Sequence, residues 1–343
     1  MTAKRTMLVT GGAGFIGSNY VHMMARDHPK WSIRVLDLLT YCGNPANLEG
    51  LEGQIEFIRG DIADPQTVDQ TIAGCDVVVN FAAESHVDRS LIDSRPYIHT
   101  NVTGTQVLLD ACRQHGVSRF LHVSTDEVYG DVAGTDTLSI ETDPFRPRSP
   151  YAASKAAAEH LVQACHVSFG LETVITRGSN TYGPRQYPEK IIPLFTTNAI
   201  DDLALPIYGR GDALRDYMHV EDHCRGIATA LEHGVAGGIY NLGARLEING
   251  RQVAKSILSN LEKPESLMHY VDDRPGHDYR YAVDPSRAES LGWNRTWNFE
   301  DGMRDTVRWY VDHEDWWRAI KAGTHFQSHE SAWYVDRRAS TSA

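Results

Sequence analysis

Ser124-Thr125-Asp126-Glu127 sets two hydroxyls and two carboxylates in one row, and further on Tyr151 and Lys155 stand four residues apart. An ammonium beside a phenol stabilises the phenolate and draws its pKa down from about 10 toward the range of a working general base. Tyr151 is therefore a candidate proton acceptor. Taken alone, the Tyr-x-x-x-Lys spacing reads as one core ring and one snorkelling lysine stem. What gives it weight is the hydroxyl and carboxylate row, together with the elements that must carry both groups.

Phe120 to Val123 is an apolar-leaning run that predicts a strand, with the reactive row at its carboxyl end, where open α/β sheets place their ligand crevice. Ser149 reads as an N-cap and Pro150 as a first helical residue, so Tyr151 and Lys155 fall on one helix face. A second site is announced at the N-terminus. Met7 to Thr10 predicts a short buried strand, and Gly11, Gly12, Gly14 and Gly17 follow before an amphipathic helix that opens at Phe15-Ile16 and runs through Arg26. Such glycines allow a tight turn and a close approach of backbone to pyrophosphate, and the helix N-terminus offers its free N–H groups to the anion. The next strand, Ile33 to Leu36, ends at Asp37, where an acid accepts from an adenosine ribose diol and repels a 2'-phosphate. NAD is thus favoured over NADP, with a plain surface acid as the alternative reading of Asp37.

Further strands are predicted at Ile55 to Ile58, Val77 to Phe81 and Thr173 to Thr176. The small residues Ala82 and Ala83 let a cofactor lie against the end of the fourth. Helices are expected at Tyr97 to His115 and Tyr151 to Phe169, each closed by a glycine, Gly116 or Gly170. The pattern is that of a Rossmann-type, doubly wound parallel sheet. After Arg177 the texture turns irregular and proline-rich, which suggests a smaller mixed substrate lobe in the C-terminal half. Its cations and tyrosines suit a nucleotide diphosphate or, equally, a solvated rim. The expected division is a cofactor domain over 1–177 with a return segment at about 216–242, a lobe over 178–215 and 243–322, and a tail over 323–343.

The chain has 343 residues and a net charge of -12, which disfavours nucleic acid and anionic membrane as partners and leaves a small molecule. Its five cysteines are scattered without a Cys-x-x-Cys, as for reduced thiols in the cytoplasm. Lys4 and Arg5 before an uncharged stretch imitate a signal peptide, but the glycines argue against one. The 16 histidines show no paired metal spacing, so no metal is expected. His86 reads as an interior or helix-capping histidine rather than a catalyst.

The segments VTGGAGFIGS, FAAESHVDRS, STDEVYG, SPYAASK, YPEK, LPIYG and RPGHD together closely resemble the dTDP-glucose 4,6-dehydratase family of extended short-chain dehydrogenases, over about the first 310 residues. The resemblance implies NAD held by Gly11, Gly14, Phe15, Ile16, Gly17, Asp37, Thr40, Asp61, Ile62, Ala82, Ala83, Ser124, Tyr151, Lys155 and Asn180. Asp61 could equally cap a helix. It implies a nucleotide sugar held by Ser85, Thr125, Asn180, Glu189, Lys190, Pro206, Tyr208, Arg215, Asn249, Arg274 and His277. It further implies catalysis by Tyr151, with Lys155 holding the ribose, Thr125 on the C4 oxygen, Glu127 as the C5 base and Asp126 as the acid for the departing 6-hydroxyl. Helices 97–115 and 151–169 are implied to form a homodimer interface. Two departures stand out: the family often has paired asparagines where this chain has Asn180-Thr181, and an asparagine where it has Gly250. A nucleotide-sugar 4-epimerase or a UDP-glucuronate decarboxylase shares the fold and the Tyr-Lys pair, but neither accounts for Asp126 beside Glu127.

Overall fold

The computed structural model describes residues 5–273 and 278–330. Arg274 and His277, both expected at the substrate, lie outside the described residues.

Seven parallel strands form one sheet in the order β10-β6-β5-β4-β1-β2-β3. Six of them are β1 (Thr6–Thr10), β2 (Ser32–Asp37), β3 (Ile55–Arg59), β4 (Val77–Asn80), β5 (Arg119–Thr125) and β6 (Thr173–Gly178). The chain then leaves the sheet through β7 (Asn180–Tyr182), β8 (Leu205–Tyr208) and β9 (Leu214–His219) before it returns as β10 (Gly238–Leu242), parallel to β6. Side chains alternate across such strands. Met7 and Val9 of β1 accordingly join the core under Tyr20, Val21 and Met24 of the Phe15–Asp27 helix. Leu8 joins the opposite core, with Leu108 and Cys112 of the Thr105–His115 helix. Because both faces are covered, the strands read as near-continuous apolar runs.

The strand order reverses between β1 and β4, so the loops that follow them part and open a crevice at their carboxyl ends. Beside it lies a smaller lobe. There β7 pairs with β9, β9 with β11 (Glu247–Asn249), and β8 with β12 (Met268–Val271). Its own core gathers Phe195, Tyr217, Val253, Ile257, Phe299 and Met303. Phe326, in the segment expected to be a tail, is buried in that same core.

The helix expected over 97–115 is interrupted. A short helix at Arg95–Tyr97 runs into a π-helical stretch, Ile98–Gly104, and regular α-helix begins only at Thr105. Side-chain bonds account for the inserted turn. Asn101 accepts from the Glu84 N–H at 2.9 Å and donates to the Glu84 carbonyl at 3.0 Å and to Ser154 Oγ at 2.8 Å. Gly104 meanwhile lets Ile62 approach so closely that an added Cβ would lie 2.5 Å from its Cδ1. Tertiary bonds of this kind displace the regular ladder where a loop must be held in place, here the one after β4.

Candidate active site

Both predicted carriers of the reactive groups form as expected. β5 ends at Thr125, whose hydroxyl accepts from the Glu127 N–H at 3.3 Å and so caps a turn of 3-10 helix, Asp126–Tyr129. Ser149 Oγ accepts from the Ala152 N–H at 3.1 Å and caps the Pro150–Phe169 helix, with Pro150 at its first position. Tyr151 and Lys155 are both buried on its inner face.

Two adjoining cavities share Gln186, Glu189 and Lys190 as a common wall. The first is lined by Gly11, Gly14, Phe15, Ile16, Gly17, Asp37, Thr40, Asp61, Ile62, Ala82, Ala83, Ser124, Tyr151 and Lys155, and also by Ser85. The second, on the lobe side, takes Asn180, Pro206, Tyr208 and Arg215 together with Glu127. Asn180 thus faces the lobe cavity, whereas Ser85 faces the glycine-rich one. Thr125 and Asp126 line neither cavity and lie buried just behind Glu127.

The first cavity fits a dinucleotide. A Cβ on Gly11, whose φ is +68°, would come within 2.6 Å of the Ala82 nitrogen, and one on Gly17 would collide with the Gly11 carbonyl. The Phe15–Asp27 helix opens at Gly14 without a side-chain cap, so its first N–H groups face the cavity for an anion. Ser124 Oγ, which is buried, has no hydrogen-bond partner among the described residues. Asp37 accepts from the Ala13 N–H at 2.9 Å and the Leu39 N–H at 2.8 Å. It therefore braces the glycine loop as well as lining the cavity, and burial raises its pKa. Asp61 accepts from the Ala63 N–H at 2.8 Å and contacts His99 at 2.9 Å, while Asp64 caps the next helix.

Electrostatics correct one expectation. Tyr151 is pushed up, not down: burial dominates, Glu127 and Asp126 add to it, and a bond with Thr125 opposes it. The Lys155 ammonium is spent elsewhere, donating to the Val123 carbonyl at 2.7 Å and meeting His122 Nε2 at 3.2 Å. Burial lowers Lys155 to about 8, with Glu159 acting against that shift. Asp126, by contrast, suits a proton donor. Burial first, then the neighbouring charges of Glu127 and Asp216, hold its carboxyl well above the usual carboxylate range, and its Oδ2 has no partner among the described residues.

Other predicted contacts are arranged differently. Arg215 donates to the carbonyls of Asp278 at 2.7 Å and Tyr279 at 3.2 Å, with its guanidinium 4.7 Å from the Tyr281 ring centre. Glu189 pairs with Arg89 at 3.0 Å, and Lys190 donates to the Ser85 carbonyl at 3.2 Å. Asn249 is absent from the lining of both cavities. Its side chain accepts from the Gln252 N–H at 2.9 Å in a capping box at the start of the Gly250–Asn260 helix, and the adjacent Gly250 lines the lobe cavity instead. Sequence reasoning did not select Gln186, Gly211 or Tyr281, which come from irregular segments where no periodicity marks an inward face. His86 is buried at the N-cap position of the Val87–Ile92 helix and lines the lobe cavity.

Behind the 3-10 turn lies a buried ion pair. Arg177 at the end of β6 meets Glu159 at 2.7 Å, and both side chains are about 1% exposed or less. The same guanidinium donates to Tyr129 Oη at 2.6 Å, and that hydroxyl donates to Asn241 at 2.7 Å. Tyr129 ends the turn that carries Asp126 and Glu127, so the pair ties the acids to the sheet.

Comparison with known proteins agrees with this geometry. The family model described as GDP-mannose 4,6 dehydratase matches residues 8–306. A dTDP-glucose 4,6-dehydratase of Streptomyces niveus is 45% identical over 92% of this chain and 96% of its own. The chain belongs to the dTDP-glucose 4,6-dehydratase family. Another such enzyme, from Actinoplanes sp., is 47% identical over 91% of this chain and 99% of its own. A crystal structure of a dTDP-glucose 4,6-dehydratase from Streptomyces venezuelae with NAD bound superposes with a TM-score of 0.89 at 45% identity, covering 92% of this chain and all of that one. An NAD complex of Thermus thermophilus UDP-glucose 4-epimerase is further away, with a TM-score of 0.83 and 33% identity over 90% of this chain and 99% of that one.

Proposed function

We propose that this chain dehydrates a nucleoside-diphosphate glucose, dTDP-glucose, to the 4-keto-6-deoxy sugar and water. The observation that carries the reading is Asp126: a buried carboxyl, its pKa held well above the usual carboxylate range, adjacent to a second carboxylate that opens onto the lobe cavity. A 4-epimerase has no leaving hydroxyl to protonate and no use for that pair. NAD, when bound, would supply a hydride acceptor for oxidation at C4 and a hydride donor for reduction at C6. Gly11 to Gly17, Asp37, Asp61 and Ser124 would hold it, and the chain's own residues handle the protons.

Tyr151 would take the proton of the sugar 4-hydroxyl as its phenolate, the form that burial opposes and that the Lys155 ammonium and the positive charge of bound NAD would favour, and Thr125, which bonds Tyr151, steadies the same oxygen. The C4 ketone so formed acidifies C5. Glu127 takes the C5 proton while Asp126 gives its own to the 6-hydroxyl, which departs as water, and a proton returns to C5 when the hydride enters C6. The two carboxyls must start in opposite protonation states, and burial of Asp126 behind Glu127 supplies that asymmetry. Identity of 45% and 47% to dTDP-glucose 4,6-dehydratases over 92% and 91% of this chain supports thymine as the base. Pairing of β10 with β6 supports the proposed return of the chain at about 216–242 to a cofactor domain over 1–177.

Among the described residues no helix is long and apolar enough to cross a membrane, and all five cysteines are free thiols; both support a cytoplasmic enzyme. The exposed Ile98, Val167 and Phe169 on the 97–115 and 150–169 segments support a homodimer through those helices. The deciding experiment uses dTDP-glucose deuterated at C4, with UDP-glucose and GDP-mannose in parallel. Label at C6 of a 4-keto-6-deoxy product, with C5 exchanged from solvent, is the expected result. Label returned to C4 of a sugar that keeps its 6-hydroxyl would favour an epimerase.

A further inference from the structure

His122 on β5 is buried, titratable and unused by the scheme above. It stands in a chain of polar groups whose directions can be worked out from the ends. Thr105 donates its hydroxyl proton to the Asn101 carbonyl at 2.7 Å, so its oxygen can only accept from Asn80, 3.4 Å away. The group of Asn80 facing it is therefore the amide NH2, and the Asn80 oxygen accepts from the Thr10 hydroxyl at 2.6 Å. That same NH2 lies 3.2 Å from His122 Nδ1. Nδ1 must then accept, which leaves the proton of a neutral imidazole on Nε2. Nε2 faces Lys155 Nζ at 3.2 Å, and Lys155 itself donates to the Val123 carbonyl.

We propose that His122 is a positioning residue for Lys155: with its proton fixed on Nε2 by Asn80, it donates to the lysine nitrogen and favours the amine over the ammonium. The proposal rests on the reading of Tyr151 and Lys155 as the pair that handles the C4-hydroxyl proton. Burial keeps His122 well below its ordinary pKa, with the Lys155 charge adding to this, so it stays neutral. The other ionisable groups facing Lys155 are Glu159, one turn on along its own helix and paired with Arg177 from β6, and Tyr151, one turn back, on which Glu127 and Asp126 act. The sign follows. A donor to the amine depresses the lysine pKa, in the same direction as the burial that brings it to about 8. Oxidation at C4, which needs the ammonium, should therefore fall away on the alkaline side of neutrality.

The test is the rise of enzyme-bound NADH at 340 nm on rapid mixing of dTDP-glucose with enzyme carrying Asp126→Asn, in which oxidation outruns elimination, followed from pH 6 to 10 with and without His122→Phe. In His122→Phe the alkaline limb should move up by about half to one pH unit, the shift expected from losing one hydrogen bond. A limb that stays or moves down overturns the proposal, as does a loss of rate equal at every pH, which marks a purely structural role. Should that variant not fold, 15N-histidine NMR of the wild-type protein decides alone. A neutral His122 with its proton on Nε2 supports the proposal, and a proton on Nδ1 or an imidazolium overturns it. Wild-type enzyme that forms no 4-keto-6-deoxy sugar from dTDP-glucose would instead strike the dehydratase reading and leave the tautomer result standing.

Discussion

The two walls of the crevice are built in different ways. The cofactor wall is made of consecutive strand ends in one parallel sheet, each loop set by small residues or by a side chain that caps the backbone. The lobe wall is assembled from segments far apart in the chain, such as Val87, Asn180, Tyr208, Arg215 and Tyr281, carried on short strands and loops. One wall is rigid because its geometry is local and repeated. The other depends on long-range bonds, so its residues are already committed to one another.

The comparison can be broken most sharply at the seam, where both walls meet the reacting atoms. Tyr151→Phe should lower turnover by about 10² to 10⁴ while NAD still binds, since a positioned acid or base contributes that much; a residual rate above a tenth of wild type would remove Tyr151 from the role. Asp126→Asn should slow elimination more than oxidation, because an amide cannot protonate the leaving hydroxyl, and bound NADH should then accumulate at 340 nm. In the wild type the same acid is lost as pH rises through its raised pKa, so elimination should weaken as pH rises.

Behind the seam, Glu159→Gln leaves the Arg177 charge buried without its partner and should cost about 3–5 kcal/mol of stability, read from urea unfolding. A loss near zero would mean that water or a neighbour replaces the carboxylate. On the cofactor wall, Asp37→Ala should weaken NAD binding by about 1.5–3 kcal/mol in calorimetry, through lost charged hydrogen bonds and a looser Ala13 loop. The smallest effect is expected in the lobe, behind its wall. Asn249→Ala should lose about 1 kcal/mol of stability by removal of a helix cap, with dTDP affinity unchanged; a large loss of affinity would return Asn249 to the nucleotide.

The glycine loop, Asp37 and the Ser-Pro start of the catalytic helix could be read from the chain because each is a local signal: a turn that needs no Cβ, a strand-end acid, an N-cap. The interruption at Ile98–Gly104 could not, since the bonds of Asn101 to Glu84 and Ser154 that accompany it join residues 17 and 53 positions away. Asn249 shows a related limit: an asparagine before a helix is a cap by local chemistry, and only the fold shows that its neighbour Gly250 lines the cavity.

By itself the sequence determined the sheet, the dinucleotide loop and which side chains could move protons, because those follow from backbone preferences and residue chemistry over a few positions. Tertiary structure alone decided the direction in which their pKa values move. Burial raises Tyr151 and Asp126 and lowers Lys155, and the lysine nitrogen turns to Val123 and His122. The cost of charge away from water, and the partners available to offset it, depend on what the rest of the chain packs around each group.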